Sequence, residues 1–531
     1  KRILAGWLVL LVLGGYATAN LGGLLTNRFS VPGSDSERGL TLLKDHMNDR
    51  SDGAFTLVAT GVGSRAEAVA VEAAARRGAH AIEGGKAGPL LRAGRGVVYA
   101  QISTPLENQD AARATPDLRA AIGRVPGVTT YLSGYPAIGH DTEKIFNDDL
   151  GRGESIAVPV ALLVMAFMFG TVGGIAVPLV FAAVTIPTTL GLVWVFAHLM
   201  DMAIYVTNIV ALIGFAIAID YSMLVVFRYR EELARTDDTA TALRVTMATA
   251  GRATLFSGMT VAVGLALLVF MPLPFMRSMG IGGLLVPVVS IAASATLLPA
   301  LLALMGRRVN RLRIIPRRVL ARRAAADTTG FWHRLATSIM RRPVLWFCAA
   351  GGLMIALALP ALGLKLTGGD NRGAPLTTDS TRGLHVLEQT LGAGALAPNQ
   401  VVIDTHRPGG AYDPAVIAAQ RRFVVLLRRD AEIEPTTIEA PAFVPRARAR
   451  QANLVDGEGR VLQIRAAGHT DSGTQQAIDL VHRIRDRYVP AARFPTSDEV
   501  LLSGAPASGV DFVDKAFGAF PWLVLAVLVV S

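Results

Sequence analysis

A single cysteine, Cys348, is all the thiol chemistry in this chain of 531 residues. That excludes an internal disulfide and any CxxC metal site, and its place inside an apolar run predicts a buried, inert thiol. Charge is scarce too: 18% of residues are Asp, Glu, Lys or Arg, against about a quarter in ordinary soluble proteins. The shortage argues against a soluble enzyme. Catalytic motifs are missing as well. The best approach to a phosphate-binding GxxxxGK[ST] loop is Gly84-Gly85-Lys86-Ala87, which lacks the first glycine and the hydroxyl residue, so ATP drive is not encoded. No GxSxG elbow occurs, and the nine histidines never fall in HxxxH or HExxH spacing. No apparatus for catalysis, a metal or another cofactor is visible.

Apolar residues, by contrast, make up 51% of the chain, with a mean hydropathy of +0.42. A membrane-spanning helix needs about 20 mostly apolar residues. Seven stretches meet that need: Ile3–Leu21, Ile156–Gly170, Gly173–Leu199, Met202–Phe227, Leu255–Met271, Met279–Met305 and Val344–Leu362. The second is short at its outer end, so the segment around Phe146–Ser155 is expected to continue it as helix beyond the membrane. An eighth begins near Phe517 and has too few residues to cross before Ser531, so the chain is expected to stop within a helix. The first stretch also fits a secretory signal, with Lys1 and Arg2 before a short apolar core and Ala17-Thr18-Ala19 resembling a cleavage site.

Two long polar segments, 22–155 and 363–516, interrupt the spans. In the first, β-rich runs Phe55–Thr60, Val97–Ser103 and Val128–Ser133 alternate with helical runs Arg65–Arg77 and Ala111–Arg124. The second alternates Gln400–Asp404, Val461–Ala467 and Val500–Ser503 with Pro414–Arg429 and Thr474–Tyr488. Each predicts a compact α+β domain. The chain is thus divided into span one (1–21), a first domain (22–155), spans two to six (156–305), a basic loop (306–343), span seven (344–362), a second domain (363–516) and the start of span eight (517–531).

Charge orients this series. The loop 306–343 holds eleven arginines (Arg307, Arg308, Arg311, Arg313, Arg317, Arg318, Arg322, Arg323, Arg334, Arg341 and Arg342) against Asp327 alone, so it carries +10 of the chain's net +11. The polar segments are near neutral, with 15 basic and 16 acidic residues over 21–155 and 18 of each over 364–516. Short Arg-rich loops stay cytoplasmic, which puts Lys1 and Arg2 inside and both domains outside the cytoplasmic membrane. The same mapping removes a nucleic-acid partner, because arginines beside a membrane set topology and touch anionic headgroups. Phe331-Trp332-His333-Arg334 through Arg342 is amphipathic and is expected to lie along the inner surface.

An internal repeat links the two halves. Asp35-Ser36-Glu37-Arg38-Gly39-Leu40, with Leu43, recurs as Asp379-Ser380-Thr381-Arg382-Gly383-Leu384, with Leu387. Leu132-Ser133-Gly134-Tyr135-Pro136-Ala137-Ile138-Gly139-His140-Asp141 recurs as Leu502-Ser503-Gly504-Ala505-Pro506-Ala507-Ser508-Gly509-Val510-Asp511. The offsets, 344 and 370, preserve the order and make the second domain about 26 residues longer. Duplication of a span, an exterior domain and a bundle explains both pairs, and it favours a retained first span over a cleaved signal. Gly134 and Pro136 suit a strand-to-helix turn, and Asp35 or Ser36 suits a helix cap. Carried forward by 370, the repeat places further spans at about 524–675.

One ionisable residue stands inside a span. Asp220 lies eight residues before Arg228 in Gly214-Phe215-Ala216-Ile217-Ala218-Ile219-Asp220-Tyr221-Ser222, about 12 Å along a helix. A carboxyl at mid-span costs about 2.5–3.5 kcal/mol on insertion scales, so it needs a reason. Either it hydrogen-bonds a neighbouring helix, or it binds and releases a proton as its surroundings change. Tyr221 supplies an adjacent hydroxyl, and Gly214, Ala216 and Ala218 admit another helix closely. Ser257, in Thr254-Leu255-Phe256-Ser257-Gly258, either adds a polar link or is satisfied by its own helix. Thr207 and Asn208 fit a solvated helix start.

GFAIAIDYSMLVVFRYREEL (Gly214–Leu233), Phe29-Ser30-Val31-Pro32-Gly33-Ser34-Asp35-Ser36 and Thr254–Ser257 together resemble the actinobacterial MmpL (mycobacterial membrane protein large) group of the resistance-nodulation-division (RND) superfamily, over essentially the whole chain. The resemblance implies an α-helical polytopic membrane protein with two α+β periplasmic porter-like domains and an RND-type duplication whose second repeat is truncated here. It implies twelve spans and proton-driven export of lipids, glycolipids or other hydrophobic metabolites. Asp220, Tyr221 and Ser257 match one proton-relay set, and a second Asp-Tyr pair, on span ten, would lie beyond Ser531. Missing spans nine to twelve or accessory envelope proteins are implied partners. Two alternatives share parts of this plan: a related proton-driven helper of protein secretion, and a lipid sensor that does not pump.

Overall fold

The computed structural model describes residues 1–26, 31–47, 54–312, 314, 330–363 and 376–530. Phe29, Ser30, Arg313, Arg317, Arg318, Arg322, Arg323 and Asp327, singled out above, lie outside the described residues.

Along the chain run α1 (Arg2–Ala19), β1 (Leu25–Thr26), α2 (Asp35–Met47), β2 (Phe55–Thr60), α3 (Arg65–His80), β3 (Lys86–Ala87), β4 (Leu91–Gly94) and β5 (Val97–Ser103). Then follow α4 (Asn108–Arg113), α5 (Thr115–Ile122), β6 (Thr129–Ser133), α6 (Tyr135–Phe169), α7 (Val172–Ala197), β7 (Met202–Ala203), α8 (Val206–Thr236), α9 (Thr239–Thr246), α10 (Arg252–Val269) and α11 (Pro274–Met305). Strands β8 (Asn399–Asp404), β9 (Val461–Ala466) and β10 (Glu499–Ser503) come later, among helices named below by their residues. Two compact units result: residues 1–28, 152–366 and 521–531 form one, and residues 29–151 and 367–520 the other.

The first unit is the helical bundle. Seven helices among the described residues are long and apolar enough to cross a membrane, at the seven expected places, and the eighth stretch continues the Ala505–Val530 helix. α6 is 35 residues long, so the short second span does continue as helix. α7, α8 and α11 bury residues along their length, around Phe181, Tyr229, Leu298 and Leu302. α1 lies against α7 so closely that a Cβ on Gly14 would come 2.3 Å from the Pro187 carbonyl oxygen. Two expectations are corrected. Met202 and Ala203 do not open a helix; they pair in parallel with Leu25 and Thr26, and α8 starts at Val206. Cys348 is exposed rather than buried: no residue of its helix, Pro343–Ala358, is buried, and such an all-round apolar surface suits lipid rather than a protein core.

The second unit holds both α+β segments. Its larger sheet has the order β3-β5-β2-β6, with β4 also on β5, and its smaller one the order β10-β8-β9, all antiparallel. The central strands explain the rest. β2 and β8 are buried on both faces, and alternate residues of a strand point to opposite sides, so each sheet needs two covers. Phe55, Leu57 and Ala59 pack with Val71, Ala75 and Leu118 of α3 and α5; Val401 and Ile403 pack with Val416, Phe423 and Leu427 of the Pro414–Arg428 helix.

The other covers are exchanged. α2, from the first segment, lies on β10 and β8, where Leu43 and Met47 meet Val402 and Val461. The Asp379–Leu391 helix, from the second segment, lies on β6 and β2. Contact is tight: a Cβ on Gly39 would come 2.9 Å from Ser503 Cβ, and one on Gly383 2.9 Å from Tyr131 Cβ. The two segments are therefore not self-contained domains, because each leaves one face of its sheet to the other's first helix. The caps are corrected too: Ser34 Oγ accepts from Glu37 N and Thr378 Oγ1 from Thr381 N, which frees Ser36 and Ser380 for other partners. The expected helix Ala111–Arg124 is two helices, α4 and α5.

Candidate functional site

Within the bundle, Asp220 sits near the middle of α8, and Tyr221 turns inward beside it, 7% exposed. α10 passes closely, because Gly258 has no side chain: a Cβ there would come 3.1 Å from the Tyr221 hydroxyl and 2.6 Å from Ile291. The Tyr221 hydroxyl is buried without a hydrogen bond of ordinary geometry, and Ser257 and Asp220 are the polar side chains that act on it. α8 and α10 thus approach each other at Tyr221 and Gly258, with Asp220 and Ser257 as their neighbours in sequence. Asp220 is not enclosed by this chain, however; it lies on an exposed face of α8, as Ser257 does on α10. No hydrogen bond or ion pair of the Asp220 carboxylate is found among the described residues. Gly214 and Ala218 do admit neighbours, Gly214 facing Ile186 and Val286, whereas Ala216 is exposed. Thr207 Oγ1 donates to the Ile204 carbonyl, as a helix start would.

The charged end of α8 is structural. Glu232, 6% exposed, lies 2.7 Å from Arg228 and 3.6 Å from Arg235. Arg230 donates to the Phe169 carbonyl at 2.7 Å, satisfying the last turn of α6.

In the second unit, two carboxylates fasten the exchanged helices. Asp141, in α6, accepts from Arg119 Nη1 and Nη2 at 2.8 and 2.7 Å, and from Ser380 N and Oγ at 3.4 and 2.6 Å. Asp511, in the Ala505–Val530 helix, accepts from Arg485 Nη1 and Nη2 at 2.6 and 3.0 Å and from Ser36 N at 3.2 Å. Both follow a Ser-Gly turn. Gly134 and Gly504 have φ of +104° and +97°, and a Cβ on either would come 2.5 Å from a backbone oxygen, of Ala54 or Pro398. Only glycine fits there, which accounts for the second repeated motif. Ser503 Oγ donates to Ser36 O at 2.9 Å, and Leu132 N to Asp379 Oδ2 at 2.8 Å. Sequence reasoning missed these fastenings. Asp141 and Asp511 were visible as the ends of a repeat, but Arg119 and Arg485 belong to no repeated motif.

Burial pushes the carboxyls of Asp141 and Asp511 up, but hydrogen bonds from Arg119 and Ser380, and from Arg485 and Ser36, outweigh it and hold both below the ordinary 3.8. A carboxyl depressed in the folded state adds stability that is complete above its unfolded value and is lost as pH falls through the folded one. Hydrogen exchange of α2 and the 379–391 helix is therefore expected to be unchanged between pH 7 and 5, after correction for intrinsic rates. Protection should fall below about pH 4; protection persisting at pH 2 would count against the role given to the two carboxylates.

A bundle of membrane-capable helices carrying a carboxyl–hydroxyl cluster at mid-helix defines a polytopic membrane protein. The family model described as MMPL family matches residues 90–346. A mycolic acid-containing lipids exporter, MmpL11, of Mycolicibacterium smegmatis is 31% identical over 433 residues, 78% of this chain and 45% of its own length. The trehalose monomycolate exporter MmpL3 of Mycobacterium tuberculosis is 27% identical, covering 81% of this chain and 47% of its own. A protein of that organism named heme uptake protein MmpL11 is 28% identical over the whole of this chain and 54% of its own length. The chain belongs to the MMPL family. It spans about half the length of these curated relatives.

Proposed function

We propose that this protein serves proton-driven export of lipids, glycolipids or other hydrophobic metabolites across the cytoplasmic membrane, with the segments 22–155 and 363–516 outside. The observation that supports this reading is the close approach of Gly258, next to Ser257 in α10, to the hydroxyl of Tyr221, which follows Asp220 at mid-helix in α8. The carboxyl takes and releases the proton, Tyr221 and Ser257 provide hydroxyls for its passage, and the open flank of Asp220 is where the second Asp-Tyr pair of the family would stand. Duplication underlies the exchanged helices, and the Arg-rich loop holds the cytoplasmic side. Two relatives named as lipid exporters support the substrate class.

Magnitudes shape the mechanism. Exposing a sixteen-carbon chain to water costs roughly 13 kcal/mol, at about 0.8 per methylene, whereas one proton crossing 100 mV supplies about 2.3 kcal/mol. The outer segments must therefore shelter the chain while the proton shifts the bundle between states. Proteoliposomes carrying a fluorescent acyl glycolipid test this: transfer to acceptor vesicles is expected only under an imposed pH gradient. Gradient-independent transfer would defeat the proton role, and no transfer of any acylated substrate would defeat the export role.

A further inference from the structure

The Phe331–Arg341 helix has no role in the proposed transport site, yet its surface is the most sharply divided among the described helices of the bundle unit. At 3.6 residues per turn, Phe331, Leu335, Ala336, Ile339 and Met340 fall on one half, and His333, Arg334, Thr337, Ser338 and Arg341 on the other. Both halves are open to solvent: Ile339 and Met340 are 40% and 81% exposed, and Arg334, Arg341 and Arg342 are exposed. No acidic residue pairs with those three arginines among the described residues. Seven positions separate Arg334 from Arg341, so they stand within about 20° of each other around the axis. The helix is also held in orientation. Trp346 Nε1, on the following helix, donates to Ser338 Oγ at 3.2 Å, and the chain turns sharply at Arg342, just before Pro343.

An unpaired cationic row beside an uncovered apolar half matches one environment, the boundary between acyl chains and negatively charged headgroups. We propose that this helix docks flat on an anionic phospholipid surface, Ile339 and Met340 entering the acyl region while Arg334, Arg341 and Arg342 engage lipid phosphates. A neutral surface offers the apolar half the same contacts but gives the arginines nothing, so docking depends on headgroup charge, at about fivefold in the docked-to-undocked ratio per arginine. The inference stands whether or not the protein exports lipids.

The test uses the full chain in nanodiscs. Because Cys348 is the only cysteine, a C348S background allows M340C to carry an environment-sensitive fluorophore, with L353C on the Pro343–Ala358 helix as a depth reference. Quenching by aqueous iodide at M340C is expected to fall when phosphatidylglycerol is mixed into phosphatidylcholine discs. The R334Q/R341Q variant is expected to shift the docking equilibrium back roughly 25-fold, while the L353C label stays shielded throughout. Equal quenching in the two lipids would overturn the proposal, as would a lipid difference that survives R334Q/R341Q. Protection in neutral discs on adding inorganic phosphate alone would overturn the membrane surface as the occupant.

Discussion

Replacing Asp511 by alanine is expected to speed hydrogen exchange in helix α2, some 470 residues away in sequence, by about a hundredfold. Asp141→Ala should do the same to the Asp379–Leu391 helix. Each change leaves an arginine, Arg485 or Arg119, facing a removed charge; breaking a buried pair costs about 3–5 kcal/mol. Arg119 is 29% exposed and Arg485 18%, so the lower end applies, about 3 kcal/mol or a hundredfold in local opening. The pattern matters more than the size. Asp511 holds Ser36 and Asp141 holds Ser380, so the effects must cross between segments. If Asp141→Ala loosened α2 as much as the 379–391 helix, the fastenings would not act separately.

Asp220→Asn is expected to abolish gradient-dependent transfer, by a hundredfold or more, while leaving thermal stability within about 0.5 kcal/mol. The second half of that statement rests on the geometry: Asp220 is exposed, and among the described residues its carboxylate has no hydrogen bond or ion pair to lose. A carboxyl kept for a structural hydrogen bond would show the opposite pair of results, lost stability and retained transfer. Tyr221→Phe isolates the relay, since it removes only a hydroxyl that has no hydrogen bond to lose. Gradient-dependent transfer at the normal rate in Asp220→Asn would end the proton hypothesis.

The seven membrane-capable helices were legible because length and apolarity suffice to identify them, although the fourth begins at Val206 rather than at Met202. Strand β2 was also legible as a β-rich run, but its burial on both faces carried a further message: such a strand requires two covers. Nothing local identifies a cover that arrives from more than 250 residues away, so the exchange of α2 with the 379–391 helix was out of reach. Cys348 was misplaced for a related reason. Apolar surroundings in sequence predict removal from water, and in a membrane protein that is not the same as burial in the protein. Asp220 stood out in the sequence because a carboxyl in an apolar helix is costly enough to be conspicuous, and Tyr221 and Ser257 were singled out only as hydroxyls next to it and on the following span.

The exchanged helices also set an order of events during synthesis. β6 ends at Ser133, yet the helix that covers it and β2 is complete only at Leu391. At about 5–20 residues per second, the nascent first sheet waits on the order of tens of seconds with the face that carries Val58, Tyr131 and Ser133 uncovered, while α7 to α11 are still being made. The first sheet therefore reaches its final form only after most of the bundle has been synthesised.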